Sequence, residues 1–200
     1  MPLSIDAVLA LLVFAVAATM TPGPNTFMLA SSGATFGIGR TLPHILGITF
    51  GFPFMMFAVT LGLGELFREV PMLRTGVALV GFCVMLWLAY RIATQPVGEA
   101  AGRGQPLSFL TAAAFQWVNP KAWVMTIGVG ATYMTGVAPT REALAIAALF
   151  AMVLLVACVL WTALGVGMGR VLGGGMAMRV FNVVMAALLA LSALWILLDR

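Results

Sequence analysis

The sequence predicts an all-α, polytopic integral membrane protein. It should have about six transmembrane helices, built as two inverted three-helix repeats with a broken first and a broken fourth helix. Three observations carry this. Apolar residues make up 62% of the chain and charged residues 8%, with a mean hydropathy of +1.11, whereas soluble domains carry about a quarter charged residues. Charge-free runs cover 7–39, 41–64, 75–90, 104–120, 122–140, 143–169 and 180–198, and several exceed the roughly 18 residues of a spanning helix. Two proline-bearing polar motifs, Thr21-Pro22-Gly23-Pro24-Asn25 and Asn119-Pro120-Lys121-Ala122-Trp123, interrupt this apolar background, one in each half.

The elements follow in order. A first span over about 5–32 contains the first break, and a second covers 41–64. Glu65, Arg68, Glu69 and Arg74 mark a short loop around Pro71. The third span covers 76–92, and the Pro/Gly-rich stretch 94–108 is a linker. The fourth span, 109–134, contains the second break. A turn at 138–142 follows, with Thr140 as a cap for a fifth span over 143–167. Arg170, the glycines 173–175 and Arg179 form the last loop before a sixth span over 178–198.

This gives one transmembrane domain, 1–200, with a first repeat at 1–93, the linker at 94–108 and a second repeat at 109–200. Three spans per half make the second half cross in the opposite sense, the usual basis of alternating access. Reading Asn119-Pro120-Lys121 as an interfacial turn gives seven spans instead. The arginines favour odd loops in the cytoplasm and both termini outside.

The breaks have a physical cause. Proline lacks an N–H, so Pro22 and Pro24 cannot bond the carbonyls of Ala18 and Met20, and Pro120 frees that of Gln116. Pro24 suits the first position of a new half-helix, and Asn119 suits the cap of another beginning at Pro120. Freed backbone groups at membrane depth persist where they line a cavity, so one break per half points to a binding site between repeats. Lys121 is an ammonium between apolar runs with no carboxylate in its span, which calls for an anionic partner. Lys121 with half-helix N–H groups would take a carboxylate. The freed carbonyls, with Trp117 and Trp123, would take an ammonium. Together they describe a site for a zwitterionic amino acid.

Other classes fit poorly. The net charge of +4 comes from scattered single residues, not the basic stripe of a nucleic-acid binder. The first six residues hold no Lys or Arg, so the first apolar stretch reads as retained rather than as a cleaved signal. Cys83 and Cys158 make no C-x-x-C pair, and one histidine, His44, builds no metal cluster. No nucleophile–base constellation suggests an enzyme, and no cofactor or metal is expected. Gly47 and Gly51 form a small-residue face for helix packing.

At its two motifs the chain resembles the lysine exporter (LysE/RhtB) family of amino-acid efflux proteins. The resemblance runs over essentially the whole length: Thr21-Pro22-Gly23-Pro24-Asn25 near the N-terminus, a glycine-rich second span, and Asn119-Pro120-Lys121-Ala122 in the fourth. It favours six spans over seven. One stretch departs from the family pattern: members often carry a proline and aromatics after N-P-K, where this chain has Met125-Thr126-Ile127-Gly128-Val129-Gly130.

The resemblance implies a secondary exporter of amino acids or related zwitterionic metabolites in a bacterial inner membrane. The alternative is a small-ion channel or metal permease on the same scaffold. The substrate-site candidates are Thr21, Pro22, Gly23, Pro24, Asn25, Trp117, Asn119, Pro120, Lys121 and Trp123. His44 and Asp6, with Glu65 behind them, are candidates for proton coupling. The expected partners are a small-molecule substrate, the lipid bilayer and, optionally, a second copy of the chain; no nucleic acid is expected.

Overall fold

The computed structural model describes residues 4–64, 69–97, 104–173 and 175–198. Every regular element among them is helical. Helix α1 spans Ile5–Met20, capped by Ser4, whose Oγ accepts from the Ala7 N–H at 3.2 Å. Helix α2 spans Pro24–Ala58 and continues as a π-turn over Val59–Leu63. Helix α3 covers Pro71–Ala93. Helix α4, Phe109–Phe115, tightens into a 3₁₀ turn over Gln116–Val118 before α5, Pro120–Tyr133. Helices α6, Pro139–Leu172, and α7, Gly175–Leu198, complete the chain.

Helix α2 is two membrane passes. As one straight rod it would be on the order of 50 Å long, against a hydrocarbon core of about 30 Å. Its backbone leaves the helical region at Gly37, with φ 77° and ψ 173°. Ser32 Oγ and Thr41 Oγ1 then lie 2.9 Å apart, although nine residues of helix would separate them by roughly 13 Å along the axis. Contacts with α4 fix the directions. Asn25 meets Gln116 while Phe36 lies against Gly104, so the arm 24–36 runs antiparallel to α4. Gly47 meets Phe109 and Gly51 meets Ala113, so the arm 38–58 runs parallel to it. The chain therefore reverses at Gly37.

With that reversal, the described helices make six passes. Four stretches are long and apolar enough to cross a bilayer, Pro24–Leu63, Thr75–Ala93, Pro139–Leu172 and Gly175–Leu194, with Ile5–Met20 and Phe109–Val118 as shorter apolar helices. Divided at Gly37, the first of these gives two passes. Its first arm joins α1 as one broken pass, and α4 with α5 forms the other. Each half thus contains a broken helix followed by two continuous ones, the second half running in the opposite sense. Large apolar side chains face outward, among them Phe50, Phe54, Leu110, Val124 and Met152, as a lipid-exposed surface requires.

Glycines set the closest crossings. A Cβ at Gly33 would sit 2.2 Å from the Thr162 carbonyl oxygen, and one at Gly165 would sit 2.1 Å from that of Ala30. The first arm of α2 and helix α6 are thus in backbone contact, a geometry that only small residues permit. Gly47 and Gly51 play the same part against α4.

Several boundaries differ from the sequence expectation. Pro71 opens α3 rather than sitting in a loop, because its fixed φ suits a first helical position. For the same reason α6 begins at Pro139, so Thr140 lies inside the helix and is not its cap. Glu142 secures that end instead, accepting from the N–H groups of Thr135, Gly136 and Ala138 at 2.8, 3.1 and 3.2 Å. Arg170 and Arg179 lie within helices, and Gly173 and Gly175 have positive φ where α6 gives way to α7. Glu65 and Arg68, and residues 98–103 of the expected linker, lie outside the described residues.

Candidate functional site

The two breaks meet in the middle of the bundle. In the first, Gly23 caps the new half-helix and Pro24 occupies its first position. The Thr26 hydroxyl accepts from the Gly23 N–H at 2.7 Å and donates to the Gly23 carbonyl at 2.8 Å, which closes the turn. In the second, Asn119 caps α5: its Oδ1 accepts from the Lys121 N–H at 3.2 Å, and Pro120 follows as the first helical residue.

Each break reaches across to the other. Lys121 Nζ donates to the Thr21 carbonyl at 2.6 Å. Asn25 Nδ2 donates to Gln116 Oε1 at 2.9 Å, and Gln116 Nε2 donates back to Asn25 Oδ1 at 3.3 Å and to the Ala112 carbonyl at 2.9 Å. The pattern is reciprocal: the residue after the helix-starting proline in each repeat bonds the end of the preceding half-helix in the other. A Cβ at Gly23 would lie 3.0 Å from Lys121 Cδ, so the small residue leaves room for the lysine stem. Among the described residues, Lys121 has no carboxylate partner.

These groups border a cavity of about 50 Å³. Its polar end is formed by Gly23, Asn25, Asn119 and Lys121, and apolar walls come from Leu29, Ile48, Phe52 and Leu154. Helix α6 contributes Cys158 and Trp161, the latter with its indole N–H on the Thr19 carbonyl at 3.3 Å. One ammonium and two half-helix N-termini therefore converge at one end, where an anionic group is favoured. An aromatic face lines the wall, where a cation or an apolar group can rest.

The expected site residues are distributed unevenly. Gly23, Asn25, Asn119 and Lys121 line the cavity. Thr21, Pro22, Pro24 and Pro120 frame it as backbone breaks, with Thr21 supplying the carbonyl that holds Lys121. Trp117 and Trp123 are not among the lining residues. They pack edge-on at 6.4 Å, with Trp117 also edge-on to the exposed Phe54 at 6.3 Å. The Trp123 indole N–H donates to the Trp117 carbonyl at 2.7 Å. Side-chain donors from the opposite half or from Trp123 reach the carbonyls of Thr19, Thr21 and Trp117, each next in sequence to the expected Ala18, Met20 and Gln116.

His44 is 1% exposed, and neither ring nitrogen has a partner. It lines a second cavity with Ser32, Arg91, Gln95 and Gln105. Asp6 lies in the first turn of α1 and borders neither cavity. Sequence reasoning did not single out the Gln116 side chain, Trp161 or Cys158. Gln116 carried a usable signal, a lone amide inside an apolar span four residues before Pro120.

A family model described as LysE type translocator matches residues 16–200. A cysteine/O-acetylserine efflux protein of Escherichia coli O157:H7 is 34% identical over 128 residues, and that of Escherichia coli strain K12 is 33% identical over 128. The protein of the same name from Salmonella choleraesuis strain SC-B67 is 30% identical over 125 residues. Each match covers 62% of this chain and 63% of the relative, so the chain spans less than two thirds of the length of these proteins. No solved structure matches significantly.

Proposed function

The chain belongs to the LysE type translocator family, and from that premise we propose that it is a secondary transporter exporting small zwitterionic amino acids across a bacterial inner membrane. The observation that carries the reading is the convergence of both helix breaks, with Lys121, on one central cavity. Lys121 and the half-helix N-termini at Pro24 and Pro120 receive the substrate carboxylate. Trp161, rather than Trp117 or Trp123, presents the aromatic face to the substrate ammonium. The short side chain rests against Phe52 and Leu154. The relatives' names suggest cysteine and O-acetylserine as the first substrates to try.

The cavity, about 50 Å³, has room for a few water molecules. Export requires movement of the repeats, 1–93 and 109–200, about this central site, the motion that inverted repeats provide. Of the two coupling candidates, His44 is the one that borders a cavity, and we assign the exchangeable proton to it. The turn at Gly37, the end of α3 and the start of α4 lie together at one end of the bundle, through Arg40 bonding the Gly104 carbonyl and Gln95 bonding Ser31 and Thr35. That end is placed in the cytoplasm.

The test is efflux of labelled O-acetylserine, cysteine and a panel of other amino acids from preloaded proteoliposomes. The reading expects saturable efflux of at least one small zwitterion by the wild type and loss of it in Lys121→Gln. No efflux of any panel member, or equal efflux by Lys121→Gln, contradicts it.

A further inference from the structure

A second cavity opens at the linker end of the bundle, bordered by a buried imidazole without a hydrogen-bond partner. It lies between the two arms of α2, the end of α3 and residues 105–107. Arg91 stacks on Trp87, its guanidinium carbon 5.2 Å from the ring centroid, and has no carboxylate partner among the described residues. Gln95 uses its Oε1 to accept from Ser31 at 3.2 Å and Thr35 at 3.0 Å, which turns its NH₂ group to other work. His44 is buried with both ring nitrogens unpartnered and borders the same space. A buried imidazole N–H without an acceptor is costly, and a ligand oxygen beside it removes that cost. No acidic side chain is among the described lining residues.

The second cavity adjoins the first. His44 lines one and Ile48 the other, four residues apart on one helix; Met28 and Leu29 divide in the same way.

We propose that the linker-end cavity is a carboxylate-docking site, built from Arg91, Gln95, Gln105 and His44. It receives the acidic group of a solute beside the central cavity. Arg91 offers a fork matched to two carboxylate oxygens, and the Gln95 NH₂ and one imidazole N–H complete the set. The direction of passage rests on the export reading, but the site itself does not.

His44 is the sole histidine of the chain, so its ring signals in a histidine-labelled sample are unambiguous. The full-length protein in lipid nanodiscs is titrated with sodium acetate, ethylammonium and sodium chloride while those signals are recorded. Acetate should move them saturably, whereas ethylammonium and chloride should not. Arg91→Gln should weaken the acetate response at least tenfold, Arg91→Lys should retain part of it, and Lys121→Gln should leave it intact. No acetate response in the wild type, an equal response in Arg91→Gln, or a chloride response equal to that of acetate would overturn the proposal. An intact acetate response in a protein that exports no amino acid would remove the export reading and leave this site standing.

Discussion

The ammonium of Lys121 donates to the backbone carbonyl of Thr21 at 2.6 Å, joining the second repeat to the break in the first. The ammonium sits where one half-helix has ended and the next has not begun. It therefore satisfies a carbonyl left over where α1 ends and stays available to a second acceptor. Asn25 and Gln116 make the mirrored contact. A substrate carboxylate can draw Lys121 away from Thr21 and so loosen one of the ties between the repeats.

Lys121→Arg should export poorly, although the charge is kept. A forked guanidinium on a longer stem does not reproduce the single point charge on Thr21, and Gly23 leaves little room beside the stem. Losing one charged hydrogen bond, roughly 1.5–3 kcal/mol, predicts a fall in kcat/KM of about tenfold or more. Gly23→Ala should give a milder loss of the same kind with normal folded yield, since the atom it meets belongs to a flexible side chain. Export kinetics beside detergent-solubilised yield check both.

Asn25 and Gln116 should be energetically coupled. Each is the other's side-chain partner, so removing Gln116 leaves the Asn25 amide without it, and removing Asn25 leaves Gln116 only its bond to the Ala112 carbonyl. A double-mutant cycle over Asn25→Ala and Gln116→Ala, read by unfolding in detergent, should give a coupling of about 0.5–3 kcal/mol. Additive effects would mean that the two amides do not hold the breaks together.

Gly37→Ala should destabilise the fold by about 1–2 kcal/mol through the backbone alone. The residue has φ 77° with nothing within 4 Å of an added Cβ, so the cost is that of a left-handed conformation for an L-residue. Gly39→Ala, equally open but free of positive φ, is the control and should be neutral. Thermal unfolding of the two variants decides whether the reversal at Gly37 is as described.

His44→Gln should flatten the dependence of export on pH, because histidine is the side chain that carries an exchangeable proton here. Asp6→Asn should leave that dependence unchanged, because Asp6 borders neither cavity. An unchanged profile in His44→Gln would return His44 to docking alone and leave voltage as the driving term.

Much of this architecture is legible from prolines. Pro24 and Pro120 begin half-helices because the first helical position needs no N–H partner and suits proline's fixed φ, although Pro43 and Pro53 sit inside α2, and Asn119 is a favourable cap before Pro120. The partners across the bundle are another matter. Trp117 and Trp123 adjoin the second break in sequence yet pack on each other beside exposed Phe54. Trp161 and Cys158 reach the cavity because Gly165 brings α6 against Ala30. Sequence proximity fixes neither a side chain's direction nor which distant helix comes close. The reversal at Gly37 was hinted at only by the charge of Arg40, since a glycine in an apolar run does not announce a positive φ.

The central claim is that the cavity between the two breaks binds the exported amino acid through Lys121. Cys158 lines that cavity, whereas Cys83 is exposed on α3. In a Cys83→Ser background, the alkylation rate of Cys158 by a small maleimide can be followed by mass spectrometry as O-acetylserine is added. The account predicts saturable protection with Lys121 in place and none in Lys121→Gln. An alkylation rate unaffected by O-acetylserine and by every amino acid the protein exports, or protection that persists in Lys121→Gln, would contradict it.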